Sequence, residues 1–211
     1  MRCPTLPLVV AFALGCADRP LPSAEDGQDL AVVVAHASPQ VQELGKAYAA
    51  YRSDTTTAAA QRAYFDAFPG DYATLRTEFG FEEISSDSTV FGEYYEQGDS
   101  MIGAFFQLTM VPPAGIASKA VGIAREGVWQ GDGVNYFQLY LGRAFEKDRM
   151  IYLAAIRSLP GSDQAGFWRF YLDGPVSYPK EDGSRLRGLL ATEPRQLALV
   201  DSLLALPVRK H

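Results

Sequence analysis

The sequence predicts an all-α fold, a single multi-helical domain of about eight to ten helices. Three observations carry this. Apolar residues recur at three- and four-residue spacing along most of the chain. Ser-Pro and Asp starts and Gly-Pro stops divide that pattern into helix-length pieces. No hairpin signature and no alternation of strand with helix is evident, which disfavours an α/β architecture. The chain has 211 residues, of which 47% are hydrophobic and 21% charged. That is long enough to bury a core without disulfides and too apolar for a disordered chain. No repeat at a fixed period is present.

The first residues look like an address. After Met1-Arg2-Cys3-Pro4-Thr5 comes the apolar run Leu6–Leu14, one positive charge and a short hydrophobic stretch in the layout of a secretory signal. The run is too short to cross a bilayer, which takes roughly 20 apolar residues. It ends in Ala13-Leu14-Gly15-Cys16, and small residues before a Cys resemble the lipobox of bacterial lipoproteins. The resemblance implies cleavage before Cys16, lipidation of Cys16 and anchoring to a membrane of the bacterial cell envelope. Cys3 then leaves with the signal, and the body from Ala17 to His211 holds no Cys, as suits an oxidising compartment. The alternatives are an ordinary signal cut near Ala17, giving a secreted or periplasmic protein, and an apolar N-terminal helix that is never cut. The organisation expected is a signal at 1–15, a lipidated Cys16 with a Pro- and Asp-rich tether to 29, a globular domain over 30–207 and a tail over 208–211.

Leu30–Ala37 carries three consecutive Val and is open between strand, short helix and buried arm. Ser38-Pro39 then caps and starts a helix whose apolar face is Val41, Leu44, Tyr48 and Tyr51. A second runs from about Thr57 to Phe68 and stops at Pro69-Gly70. Asp71 caps a third, with Tyr72, Leu75 and Phe79 on one side and Gly80 as its C′ residue. Phe81–Thr89 is expected to be a polar loop. Val90–Met110 is apolar on nearly every side and is expected to form the central helix, with a break available at Gly98-Asp99-Ser100. Pro112-Pro113 opens a helix of small residues that ends at Gly127 and can be approached closely. Trp129–Gly133 is a turn. Val134, Phe137, Leu141 and Phe145 mark the next helix, and Ile151, Ala155 and Leu159 another, jointed at Glu146–Arg149. Ser162 is expected to cap a helix bearing Phe167, Trp168, Phe170 and Tyr171, which Gly174-Pro175 ends. Tyr178–Ser184 is expected to be a surface loop. A last helix starts at Thr192-Glu193-Pro194 and carries Leu197, Val200 and Leu204. Phe105, Phe106, Phe137 and Trp168 are the expected core.

Most catalytic strings are absent: no GxSxG elbow, no HExxH, no phosphate-binding loop and no CxxC. His36 and His211 are the only histidines, so His-based catalysis and His-rich metal sites are disfavoured, and neither a cofactor nor a metal is expected. Net charge is −6, which disfavours nucleic acid as a partner. Lytic transglycosylases are set aside, because Glu82-Glu83-Ile84-Ser85 does not match their Glu-Ser pattern. An enzymatic alternative survives in paired carboxylates, which alone can hydrolyse a glycoside. Glu93 and Glu96 would share a helix face three residues apart, with Asp99 nearby and Tyr94-Tyr95 available to line a sugar cleft.

The most distinctive feature is charge distribution. Thr77–Ser118 contains no Lys or Arg but seven acids: Glu78, Glu82, Glu83, Asp87, Glu93, Glu96 and Asp99. Such a field steers a cationic partner, and Glu82, Glu83, Glu93 and Glu96 are the candidate binding residues. Basic residues collect later, at Lys180, Arg185, Arg187 and Arg195, so the domain is expected to be polar end to end. Ala63–Phe81, with Phe65, Phe68-Pro69, Tyr72, Leu75 and Phe79-Gly80, resembles uncharacterised bacterial secreted proteins and lipoproteins, some of which accompany polymorphic toxin systems. The resemblance implies an immunity-like or accessory factor. The reading is of a lipid-anchored, non-enzymatic envelope protein that binds a cationic protein, with a carboxylate-dependent glycan hydrolase as the alternative.

Overall fold

Ser38 starts the first helix as expected: its side chain accepts the Val41 N–H at 3.3 Å, and Pro39 follows in the first turn. The computed structural model describes residues 38–85, 88–174 and 183–206. The signal run, Cys16, the tether, Leu30–Ala37, His36, Asp87, Lys180 and His211 lie outside the described residues. Helix α1 (Pro39–Ser53) packs on α2 (Ala58–Ala67), and the rings of Tyr48 and Tyr51 stand 5.3 and 5.5 Å from that of Tyr64. Asp71 caps α3 (Tyr72–Phe79) by accepting the Thr74 N–H at 2.8 Å. Two strands follow, β1 (Phe81–Ser85) and β2 (Ser88–Phe91), and then a single 3₁₀ turn over Tyr95–Gln97.

The remainder is helical: α4 (Gly98–Phe106), α5 (Pro113–Ala124), α6 (Gly133–Lys147), α7 (Arg149–Ser158), α8 (Gly161–Leu172), α9 (Gly183–Leu189) and α10 (Pro194–Leu204). The fold is all-α, with one two-stranded antiparallel sheet among the described residues. Helix α4 packs on α6, α5 on α7 and α8 on α10. Phe105, Phe137 and Trp168 are fully buried, and Phe106 is half-buried against them. Phe105 stacks on Phe68 at 4.1 Å, and Phe145 meets Trp168 and Tyr171 edge-on at 5.7 and 5.4 Å. Such pairs contribute roughly 0.5–1.5 kcal/mol beyond their burial.

Buried glutamines join the helices. Gln61 accepts the Thr109 and Met110 N–H groups at 2.7 Å and donates to the Thr55 carbonyl at 2.6 Å. It thereby ties the α1–α2 connection to the chain between α4 and α5. Trp168 Nε1 donates to Gln196 at 2.6 Å, Gln196 to Gln164 at 2.7 Å, and Gln164 to the Leu159 carbonyl at 2.8 Å. This chain of amides fixes α10 on α8, since a buried amide left unpaired costs about 1–3 kcal/mol.

Several expectations are corrected. Phe81–Thr89 is no loop: it forms β1 and the start of β2. The central helix does not run from Val90. Val90 and Phe91 belong to β2, and the helix begins at Gly98, where the break was available. Gly80 is extended rather than left-handed. Ser162 does not cap α8; Pro160 precedes that helix and Ser162 lies inside it. Gly183 and Ser184 open α9 rather than closing a loop. Gly174 does adopt the left-handed conformation expected at the end of α8, with φ +81°. The later basic residues are locally compensated, because Arg185 pairs with Glu146 at 2.5 Å and Arg187 with Asp201 at 2.7 Å.

Candidate functional site

The acidic stretch folds into a hairpin that projects from the end of α3. Phe81 stands opposite Phe91, Glu82 opposite Val90 and Glu83 opposite Thr89, and the register slips beyond Glu83, leaving Ile84 as a bulge. Opposed residues share a face. Phe81 and Phe91 therefore lie together, and the Tyr95 ring packs 4.5 Å from that of Phe91. On the other face Glu82 stands 3.7 Å from Arg76 of α3, an exposed pair of the kind that contributes little to stability. Ile84, Val90 and Phe91 are 67%, 53% and 55% exposed. Singly exposed apolar residues are ordinary; here Phe91 stands out on the Phe81 face and Val90 on the Glu82 face, so the hairpin shows apolar surface on both sides.

The hairpin's position is set by its base. The Gly92 N–H donates to the Gly80 carbonyl at 2.9 Å, and the Tyr94 N–H donates to the Glu78 carbonyl at 2.9 Å. A side chain at Gly92 would run into the Glu78 and Thr77 carbonyl oxygens. Tyr94 donates to the Val41 carbonyl at 2.6 Å, and Gln130 to the Phe81 carbonyl at 2.6 Å. Between α3 and the hairpin lies a cleft of about 290 Å³, lined by Tyr72, Arg76 and Thr77 on one side and by Glu82, Val90 and Phe91 on the other. That is at the lower limit of ligand pockets, which run from roughly 300 to 1,000 Å³. It suits one or two side chains better than a whole glycan.

The predicted site residues divide. Glu82 and Glu83 stand on β1, Glu93 directly after β2 and Glu96 in the 3₁₀ turn, all exposed. The four candidate binding residues thus flank one small element. The expected helix face shared by Glu93 and Glu96 does not exist, because Glu93 precedes the 3₁₀ turn that holds Glu96 and the α-helix begins only at Gly98. Asp99 is exposed and accepts from the Tyr140 hydroxyl at 2.9 Å. None of Glu93, Glu96 and Asp99 lines the cleft. Among the described residues no group of three or more His, Cys, Asp and Glu is placed to hold a metal, and no helix is long and apolar enough to cross a membrane.

Glu78 departs from the expected acidic surface. It follows Leu75 by three residues and so falls on the inward face of α3. It is 3% exposed, and its Oε2 has no hydrogen-bond partner. Burial, reinforced by the Asp71 carboxylate, lifts its carboxyl from 4.5 to about 7. The residue therefore keeps its proton to higher pH than an ordinary glutamic acid.

Comparison with known proteins returns no match: no family, no curated protein and no solved structure is significantly similar to this chain.

The raised carboxyl makes stability depend on pH. Below about 4.5 Glu78 is neutral in both folded and unfolded chains. As pH rises through that value, the unfolded chain ionises first and stability falls, and the fall ends once the folded carboxyl ionises near 7. The span corresponds to about 3 kcal/mol. Glu78→Gln is expected to remove this slope, as measured by urea unfolding from pH 4 to 8. An identical slope in both proteins would contradict the assignment.

Proposed function

We propose that this protein is a lipid-anchored protein of the bacterial cell envelope, non-enzymatic, that binds a basic protein segment on the β81–91 hairpin in an immunity-like or accessory role. The observation that carries the binding reading is the hairpin itself. It presents exposed apolar side chains, Ile84, Val90 and Phe91, among exposed carboxylates, Glu82, Glu83 and Glu93. Apolar contact supplies affinity, and the carboxylates supply steering and choice of a cationic partner. No Lys or Arg lies between Thr77 and Ser118 to neutralise that field from within. The anchoring part of the reading is supported by Arg2, the Leu6–Leu14 run and Ala13-Leu14-Gly15-Cys16. A secreted or periplasmic form is the alternative if Cys16 is unmodified. No observation favours the glycan-hydrolase reading, in which Glu93, Glu96 and Asp99 would converge on a sugar.

Wild type and a Glu82→Lys, Glu83→Lys, Glu93→Lys variant, both purified, serve as baits for envelope proteins at low and high salt, with the retained proteins identified by mass spectrometry. The variant is expected to fold normally, since exposed charges change stability by at most about 0.5 kcal/mol. A basic protein should be retained by wild type at low salt, weakened at high salt and lost from the variant. Its purified form should then associate at least about tenfold more slowly with the variant. Equal recovery of every protein by both baits would overturn the reading.

Cys16→Ser is expected to release the protein from membranes into the soluble fraction, and mass spectrometry of the mature N-terminus should show acyl chains on wild type alone. A wild-type N-terminus with an unmodified Cys16 would contradict the anchor.

A further inference from the structure

The hairpin offers more than a charged patch, because its β2 edge carries outward main-chain groups that nothing among the described residues bonds. In an antiparallel pair, positions alternate between those whose main-chain groups bond across the pair and those whose groups point outward. The bond from Gly92 N–H to the Gly80 carbonyl sets the phase. Glu82 and Val90 accordingly bond to each other, and Phe81, Phe91, Glu83 and Thr89 turn their main-chain groups outward. On the β1 side, Gln130 Nε2 already donates to the outward Phe81 carbonyl at 2.6 Å, which confirms the phase and occupies that edge at its base. On the β2 side, no main-chain group among the described residues bonds to Thr89 or Phe91 outside the hairpin. Val90, Phe91 and Gly92 of this strand also line the cleft against α3.

We infer that the basic partner binds as an extended strand added along the open edge of β2, hydrogen-bonding to the main chain of Thr89 and Phe91 beside the α3 cleft. The inference rests on the docking role proposed for the hairpin and specifies its mode and the conformation of its ligand. An open edge pairs readily with another chain, and strand addition draws affinity from main-chain bonds and specificity from alternate side chains. Alternation suits the two faces: an added strand of alternating lysine and apolar residues would set its apolar side chains toward Val90 and the cleft, and its lysines on the opposite face, which carries Glu83. A second copy of this chain is a poor occupant. Pairing β2 with β2 would join two acidic hairpins in one sheet, and neither copy has a Lys or Arg between Thr77 and Ser118 to offset the charges of the other.

The probe is a short synthetic peptide alternating lysine and valine, and two versions of it N-methylated at alternate residues in opposite phase. Binding to the full folded domain is followed by amide NMR and calorimetry. Strand addition predicts that the Thr89 and Phe91 amides shift and become protected from exchange. One methylation phase should bind like the parent and the other at least about tenfold more weakly. Thr89→Pro removes an outward donor that the hairpin ladder does not use, a substitution edge strands tolerate, and should weaken the parent peptide about tenfold. Equal weakening or equal retention in both phases, with no protection at Thr89 and Phe91, would overturn strand addition while leaving electrostatic docking to the triple charge reversal. Absence of peptide binding would likewise overturn it. Loss of the charge-dependent partner, by contrast, would remove the docking role itself.

Discussion

Two main chains close on the last turn of α3, and the placement of the hairpin depends on that closure. Gly92 sits against the Glu78 and Thr77 carbonyls, and Gly133 sits against the Phe79 carbonyl; a Cβ at either position would overlap the oxygen it faces. Through the first contact β2 returns to the helix that launched β1. Through the second, α6 begins against the same turn. Phe79 itself is fully buried and stacks on Phe68 at 5.9 Å, which in turn stacks on Phe105 at 4.1 Å. The hairpin is therefore braced by the aromatic core rather than tethered to it by flexible chain. Such bracing lowers the ordering cost of binding.

The same turn explains why acids in one stretch of sequence behave differently. Glu78 faces inward beside Leu75, and burial lifts its carboxyl to about 7, whereas Glu82 and Glu83, a few residues on, are exposed on a two-stranded element. Below that value a protonated Glu78 keeps a negative charge out of the junction. The division follows from geometry alone, since the helix and the hairpin that continues it point their side chains by different periods.

Much of the helical architecture was legible because capping chemistry is local. Ser38-Pro39, Asp71 and Gly174 each act where the residue types indicate. Apolar periodicity likewise placed Phe105, Phe137 and Trp168 in the core. The hairpin escaped because Phe-Glu-Glu-Ile-Ser and Ser-Thr-Val-Phe are short, polar and joined to an apolar run that continues into α4. Period alone cannot separate such a strand from a helix start. The β-branched Thr89-Val90 before Phe91, following the Ser- and Asp-containing sequence 85–88, was the available signal. The buried glutamines and Glu78 were not legible, because their burial depends on which helices meet. Glu82, Glu83, Glu93 and Glu96 are exposed, but they stand on a hairpin and its exit rather than on the loop and helix that the sequence pattern suggests.

The central claim is that the hairpin and the core form one cooperative unit through the end of α3. Native-state hydrogen exchange across increasing urea tests it most directly, comparing the Gly92 and Tyr94 amides, which bond to the Gly80 and Glu78 carbonyls, with amides inside α6 such as those of Phe137 and Leu141. The account predicts that Gly92 and Tyr94 exchange with the opening free energy and urea dependence of the α6 amides, through global unfolding. Fast exchange of Gly92 and Tyr94, independent of urea while α6 stays protected, would show a hairpin that opens on its own and would contradict the claim.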